Sequence, residues 1–441
     1  MKDSGIKWIG SIPDTWNVIK VKYNCSLKGR IGWQGLTTDE YIDEGPFLIT
    51  GTDFNVNDGV INWDSCVHVS EWRYDQAPEI QVHNGDLLIT KDGTVGKVAI
   101  VADVIDKTTL NSGVMVIRPT EDTYETKFLY YVLKSEEFWK WFNYINSGNT
   151  TISHLYQHDL NHFYFAITDK TEQRAIIDFL DKKCQQTDVI IEKVKEQIRI
   201  LENARNALIT ECVTKGIKEN TELVETRYSY IKQKPLDWKI KRIKHIILGI
   251  KDGTHGTFER LDAGEMLLSA KNIFYDGIHI GNNESLISEE DYKTIVSNGF
   301  PEKGDVLLCC VGTVGRCCVF NEEKPIAFQR SVIFLRPNVQ AVTSYFLNYA
   351  LQADYVKAQE QAMINKTAQD GLYMGSVKEI RISVPSTIVE QEQIVSYLDK
   401  KCSVIDRIIE KKQNELNILE EQKKSLINEY ITGKKRVKGY A

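Results

Sequence analysis

The chain is written twice, and this limits its possible folds more than any other feature. Asp-Lys-Lys-Cys stands at Asp181–Cys184 and recurs 218 positions later at Asp399–Cys402. Around the first copy runs IDFLDKKCQQTDVIIEKVKEQIRILENARNALITECVTKG; around the second runs VSYLDKKCSVIDRIIEKKQNELNILEEQKKSLINEYITGK. Solenoid periods are roughly 20–50 residues, so this is a duplicated half-molecule and not one unit of an array. Three further blocks keep the same order and nearly the same offset. GDLLITKDGTVGKVAIV from Gly85 faces GDVLLCCVGTVGRCCVF from Gly304, NSGVMVIRP from Asn111 faces QRSVIFLRP from Gln329, and TEQRAIIDFLD from Thr171 faces VEQEQIVSYLD from Val389. The stretches between them share little: GRIGWQGLTTDEYIDEGPFLITGTDF from Gly29 faces KDGTHGTFERLDAGEMLLSAKNI from Lys251. A shared scaffold carrying two different binding surfaces is expected to look like this, as is an old duplication whose loops drifted fastest.

Each half opens with short apolar runs punctuated by Gly and Asn and closes with a long amphipathic pattern. PFLIT at Pro46, DLLITK at Asp86, KVAIVAD at Lys97 and VMVIRP at Val114 read as strands. GTVG at Gly93 and again at Gly312 lies between two such runs, the signature of a hairpin turn. From about Thr171 to Thr214, positions 180, 184, 187, 191, 194, 198, 201, 205, 208 and 212 form a heptad seam with two polar interruptions, Thr187 and Arg205. The second copy repeats it, with Leu398, Ile409, Leu416, Leu419 and Leu426 matching Leu180, Ile191, Ile198, Leu201 and Leu208. A helix of about 40 residues is roughly 60 Å long and cannot bury such a seam alone, so the other copy is the expected partner. Gly216 and Gly433 mark the helix ends. The pattern predicts an α+β chain of two strand-rich globular regions, each followed by a long α-helix. The helices are expected to pair as an antiparallel coiled coil with pseudo-two-fold symmetry, holding the globules at opposite ends. Expected boundaries are 1–168 and 217–386 for the globules, 169–216 and 387–434 for the helices, and 435–441 for a basic tail.

Several kinds of chemistry are missing. There is no Pro-Pro pair, so the Asn/Asp-Pro-Pro-aromatic motif of amino-group methyltransferases is absent, and no Gly-x-Gly for a dinucleotide or AdoMet loop. GTVGK lacks the upstream glycine of a P-loop, and neither His-Glu-x-x-His nor Gly-x-Ser-x-Gly occurs. Nine cysteines are an odd number, and Cys309, Cys310, Cys317 and Cys318 face Thr90, Lys91, Val98 and Ala99 in the first copy. They read as buried strand residues, not as a metal site. No apolar run reaches the roughly 20 residues of a bilayer span, and the start lacks a signal-peptide core, so a cytoplasmic location is expected. The net charge of −6 argues against a simple basic nucleic-acid binder, but phosphate contacts need only a local basic face.

The distributed motifs resemble the specificity subunit of type I restriction-modification systems (the HsdS family). IKWIGSIPDTW at Ile6 is similar to that family's opening. GRIGWQGL at Gly29 and KDGTHGTF at Lys251 are similar to recurrent openings of its target-recognition domains. GTVGK and GTVGR, the Arg-Pro strand ends and the Glu-Gln before each long helix complete the pattern, which covers essentially the whole chain twice. The resemblance implies a non-catalytic subunit that binds double-stranded DNA, each globular domain reading one half of a bipartite, asymmetric target. The helices would set the spacing and dock two modification (methyltransferase) subunits. It also implies no cofactor on this chain: AdoMet would sit on the modification subunits, and ATP and Mg on restriction (translocase/nuclease) subunits. The competing readings are a stand-alone DNA-modifying enzyme and a coiled-coil adaptor that binds proteins only.

Base readout needs paired donors and acceptors, and backbone positioning needs cations, hydroxyls and amides. In the first half these expectations fall on Arg30 and Gln34, on Lys91, Thr94 and Lys97 of the hairpin, and on Asn149, Thr150, Thr151 and His154 of a polar loop. In the second half they fall on Thr254, His255, Lys271, Arg316, Gln329 and Arg330, and on Lys366, Thr367 and Gln369. The GTVG turns can equally be read as hairpin closure alone, Trp33 as core, and Arg118 and Arg336 as structural. Lys182, Lys183, Lys400 and Lys401 are either solvated or a docking face.

Overall fold

The computed structural model describes residues 1–30, 36–55, 59–147, 154–364 and 371–440. The chain divides into two compact units, residues 1–195 with 414–441, and residues 196–413. Both dividing points fall inside the long helices, which span Lys170–Lys215 and Ile388–Ile431. Each unit therefore holds one globule, the root of the helix that follows it and the far end of the other helix.

The repeated apolar runs become a four-stranded antiparallel sheet in each unit. In the first unit the strand order is 98–100, 87–90, 114–119, 25–29, and in the second 317–319, 306–309, 332–337, 247–252. The inner strands 87–90, 114–119, 306–309 and 332–337 are buried on both faces along most of their length, so they read as continuous apolar runs without polar alternation. Side chains nevertheless alternate between two cores. Leu87, Ile89, Met115 and Ile117 face a core shared with the helical residues Phe128, Phe138 and Leu180, while Leu88, Val114 and Val116 face Ile49 and Leu110 of a three-stranded sheet. In the second unit Val306, Leu308, Ile333 and Leu335 face Phe346 and Leu398, while Leu307, Cys309, Val332 and Phe334 face Leu268 and Phe328. The cysteine run obeys the same alternation: Cys317 enters the first of these cores and Cys318 the second. All nine cysteines are free and buried, and burial pushes the thiols of Cys309, Cys310 and Cys318 up to about 11, about 12 and about 12.

The GTVG segments close hairpins. Gly96 N donates to Thr90 O at 2.9 Å and Gly315 N to Cys309 O at 3.0 Å, with φ of 84° and 82° at the two glycines. Side chains rarely adopt that region, and a Cβ on Gly96 would also lie 2.7 Å from the Trp139 ring. Arg118 and Arg336 are structural. Arg118 grips Asp86 at 2.6 and 2.7 Å, and Arg336 grips Asp305 at 3.0 and 3.1 Å. Each aspartate also accepts a backbone N–H three residues upstream, from His83 or Glu302, at 2.8 Å.

The strongest sequence repeats sit where globule and helix join. Gln173 accepts from Glu125 N at 2.9 Å and Gln391 from Thr343 N at 2.8 Å, and both side-chain amides donate back to the same loops. About two turns further on, the Tyr131 hydroxyl donates to Asp181 and the Tyr349 hydroxyl to Asp399, each at 2.7 Å. Cys184 and Cys402 are buried beside them. Glu-Gln and Asp-Lys-Lys-Cys are therefore the bolts of one joint, built twice.

The heptad seam is present along both helices. All ten seam positions of the first helix, and all ten of the second, are buried or half-buried, while most flanking positions are exposed. Pairing inside each unit is antiparallel. In the first, the Phe179 ring lies 4.4 Å from that of Tyr430, and Asp188 meets Lys423 at 2.5 Å. In the second, Arg205 meets Asp406 at 2.7 Å and Lys218 meets Glu390 at 3.7 Å. One polar interruption of the seam is thus an ion-pair position: Arg205 and Lys423 are equivalent in the repeat, as are Asp188 and Asp406, whereas Thr187 donates to Lys183 O at 3.0 Å. Ile209 and Val213 close the core of the second unit, and their equivalents Ile427 and Ile431 close that of the first. The basic tail is anchored, with Arg436 pairing at 2.7 Å with Glu172, a carboxylate only 1 % exposed.

Candidate nucleic-acid interface

In each unit the expected contact residues that are described gather mostly at one end of the four-stranded sheet. In the first unit, Gly29 ends a strand beside Lys91, whose ammonium would lie 3.8 Å from a Cβ on that glycine. Lys91 N donates to Gly113 O at 2.8 Å, and Lys91 O accepts from Leu155 N at 2.9 Å. This places the hairpin, the 111–113 loop and His154 together. The His154 ring Nδ1 lies 2.6 Å from Asp92, a contact that holds the imidazole over the turn. Thr94 is exposed at the tip, and Lys97 Nζ donates to Gly51 O at 2.9 Å. The Lys91 ammonium has no hydrogen-bond or ion-pair partner among the described residues, so of this group it is the most available cation.

In the second unit the same end is built from different side chains. Gly253 packs so closely on Phe328 and Gln329 that a Cβ there would lie 2.2 Å from a carbonyl oxygen. Arg330 N donates to Thr254 O at 3.0 Å, and Cys310 N to Ser331 O at 2.9 Å. Thr254, Gln329 and Arg330 therefore share one rim, with the Arg330 side chain exposed. His255 is exposed and lies 2.7 Å from Asp252, three residues before it. Arg316 lies across the Phe274 ring at 4.8 Å and donates to Ile273 O at 3.2 Å, which leaves part of its fork unused.

Two expected contacts are otherwise engaged. Arg30 is a correction: its side chain is only 2 % exposed, with Nε donating to Leu110 O at 2.9 Å and Nη2 to Thr109 Oγ1 at 3.1 Å. Burial lowers its affinity for the proton, ahead of repulsion from Arg73. It ties two sheets together and does not face a ligand. Lys271 pairs with Glu284 at 2.9 Å. The Lys271 hydrogen bond, followed by those from Gly281 N and Asn272, drives that carboxyl down to about 2, so the lysine's charge is already answered. Gln34, Asn149, Thr150, Thr151, Lys366, Thr367 and Gln369 lie outside the described residues. Reading the sequence missed Asp92 and Asp252, the carboxylates that orient His154 and His255. An acidic neighbour two or three residues from a loop histidine or a turn was the available signal.

On the helices, Leu180, Leu398 and Leu416 are buried, as is Ile191, while Ile198, Leu201, Leu208, Ile409, Leu419 and Leu426 are half-buried along the seam. Lys182, Lys183, Lys400 and Lys401 are exposed. Two apolar pairs are exposed at equivalent positions of the repeat, Ile190 with Ile408 and Ile200 with Ile418. No helix among the described residues is long and apolar enough to cross a membrane.

Comparison with known proteins bears on this arrangement as a whole. The profile of the type I restriction modification DNA specificity domain matches twice, over residues 14–199 and 235–418. The chain is 24% identical over 444 residues to the type I restriction enzyme MjaVIII specificity subunit of Methanocaldococcus jannaschii, covering 97% of this chain and 94% of that one. It is 23% identical over 349 residues to the type I restriction enzyme EcoBI specificity subunit of Escherichia coli, covering 77% and 72%. A solved structure described as the structural basis of complex assembly and conformational transition of the type I R-M system superposes with a TM-score of 0.62 at 16% identity, covering 96% of this chain and 98% of that chain. At that identity the likeness concerns the fold.

Proposed function

The chain belongs to the type I restriction modification DNA specificity family, and from that premise we propose that its two sheet-end rims each read one half of a bipartite DNA target. DNA target recognition is the role of the chain. The observation that carries the finer reading is that one joint, one sheet and one hairpin are built twice, while the rim side chains differ. Lys91, Lys97 and Ser112 stand in one unit where Cys310, Arg316 and Arg330 stand in the other. Two unlike rims on a like scaffold suit two unlike half-sites. An arginine fork can pair with guanine, and hydroxyls and backbone amides can position phosphates.

The chemistry then belongs to partners. In this reading methyltransferase subunits carrying AdoMet dock on the helices, and restriction subunits using ATP and Mg join them. This chain supplies sequence choice, and its helices act as the ruler between half-sites. The repeated exposed isoleucines, with the lysines of Asp-Lys-Lys-Cys near them in sequence, support docking of two copies of one partner, because identical partners need matching patches. Methylome sequencing of cells with and without the gene tests the function. Loss of one bipartite methylated motif is the expected result, and an unchanged methylome overturns it. Methyl transfer by the isolated chain, incubated with labelled AdoMet and DNA, would instead establish a stand-alone enzyme.

A further inference from the structure

A short two-stranded ribbon at the root of each globule differs between the units in a way the rest of the scaffold does not. In the first unit, strand Asn17–Lys20 pairs with Tyr164–Ile167, and Lys20 stands opposite Tyr164. Its ammonium lies 5.0 Å from the centre of that ring, a favourable cation–aromatic pair. In the second unit, Lys239–Arg242 pairs with Arg381–Val384, and Arg242 stands directly opposite Arg381. Like charges facing each other on a ladder weaken it, so this ribbon holds a repulsion that its counterpart avoids.

The neighbouring hairpin adds to the charge. Strands Leu223–Tyr228 and Ile231–Pro235 bring up Arg227 and Tyr228. The guanidinium groups of Arg227 and Arg381 lie 5.3 and 5.2 Å from the Tyr228 ring centre. Arg227 donates to the Tyr228 hydroxyl at 3.3 Å, and this bond draws the hydroxyl below its ordinary value, with Arg381 acting in the same direction. Lys244 meets Glu379 at 2.6 Å, and Arg242 meets the same carboxylate at 3.1 Å. Residues 227–244 hold seven Lys and Arg against one Asp in a chain of net charge −6, so positive charge is concentrated here against the overall balance. Guanidinium forks splayed around an aromatic ring match phosphate oxygens better than lysine ammoniums do.

We propose that Arg227, Arg242 and Arg381 form a sequence-independent contact of the second unit with the phosphate backbone of duplex DNA, with no counterpart in the first unit. The proposal rests on the DNA-specificity reading above. Its test compares the full chain with the double variant Arg242→Gln/Arg381→Gln and the single variant Arg227→Gln. Binding is measured to two duplexes of equal length, one carrying the motif found by methylome sequencing and one without it, over a series of salt concentrations. Each arginine removed is expected to lower the slope of log affinity against log salt by about 1. The double variant is expected to lose about tenfold in affinity on both duplexes, leaving their ratio unchanged. Arg242→Lys/Arg381→Lys should keep the slope, and with Arg227→Gln, which lies outside the ribbon, it carries the test if the double glutamine variant does not fold. Wild-type slopes in all variants would overturn the proposal. So would a loss confined to the motif duplex, which would make these arginines base readers. Impaired capture of methyltransferase subunits with DNA binding intact would also overturn it and assign the patch to a protein. A wild-type chain that cannot tell the two duplexes apart would bring down the underlying DNA-specificity reading and not this inference alone.

Discussion

Glu137 and Glu360 are carboxyls in places built for neutral groups. They are 2 % and 3 % exposed, and Oε1 of each has no hydrogen-bond partner among the described residues. Burial pushes Glu137 up to about 8 and Glu360 up to about 7, against weaker opposing pulls from Lys434 and Lys140 on the first and Lys357 on the second. In the unfolded chain both carboxyls lose their protons near the ordinary value of 4.5. The folded state therefore binds more protons between about pH 4.5 and 8, and stability falls as pH rises through that window. Glu137→Gln and Glu360→Gln keep the shape and remove the titration. Each variant is expected to be more stable than wild type at pH 8, by on the order of 1–4 kcal/mol, and to differ little from it at pH 5. Denaturant titrations at the two pH values check this; an equal offset at both would mean that the carboxyls are not the titrating groups. Arg30 shows the opposite use of burial. Its charge is retained and spent on a carbonyl and a hydroxyl, so a residue type that suggests DNA contact is here a tie between sheets.

At the scale of elements, the seam ion pairs register the helices. Lys423 is 14 % exposed and Asp188 31 %, so each is screened less than a surface pair. Asp188→Asn is expected to cost the first unit about 1–2 kcal/mol, because a seam ammonium loses the charge of the carboxylate it meets at 2.5 Å. The exchange Asp188→Lys with Lys423→Asp should recover most of that. A double-mutant cycle by denaturant unfolding measures the coupling, and an exchange as unstable as the sum of its single changes would mean that the pair does not set register. The seam itself was legible because a 3.5-residue period needs no tertiary information. The strand runs and the GTVG turns were legible for the same local reason. Arg205 and Lys423 appeared in the sequence only as interruptions, because their partners lie 201 and 235 residues away. The rim was legible in part. The repeat aligned Lys91 and Lys97 with Cys310 and Arg316, but nothing local reveals that Arg30 points at Leu110 O or that Glu284 claims Lys271. The arginine ribbon was missed for a different reason: overall net charge hides a run of seven cations, and only a local count reveals it.

At the scale of the whole molecule, the joints matter more than the readers for folding. Gln173 and Gln391, the Tyr131–Asp181 and Tyr349–Asp399 bonds, and the Arg118–Asp86 and Arg336–Asp305 grips occupy equivalent places. A globule transplanted between these joints meets the groups it left. A chain carrying residues 16–168 a second time, in place of 238–386, should therefore fold, because Ile209 and Val213 would close the transplanted core where Ile427 and Ile431 close the original. Such a chain would have two identical rims and no arginine ribbon. If each rim reads one half-site, methylome sequencing of cells carrying only this chimera should find a motif whose two half-sites are the same. That half-site should match one of the two seen with the natural chain. The absence of the ribbon should appear separately, as weaker binding to every duplex and a shallower salt dependence. A folded, partner-bound chimera that still methylated the natural asymmetric motif would sink the assignment of one half-site to each unit, because the chimera lacks the residues that would have to read its second half.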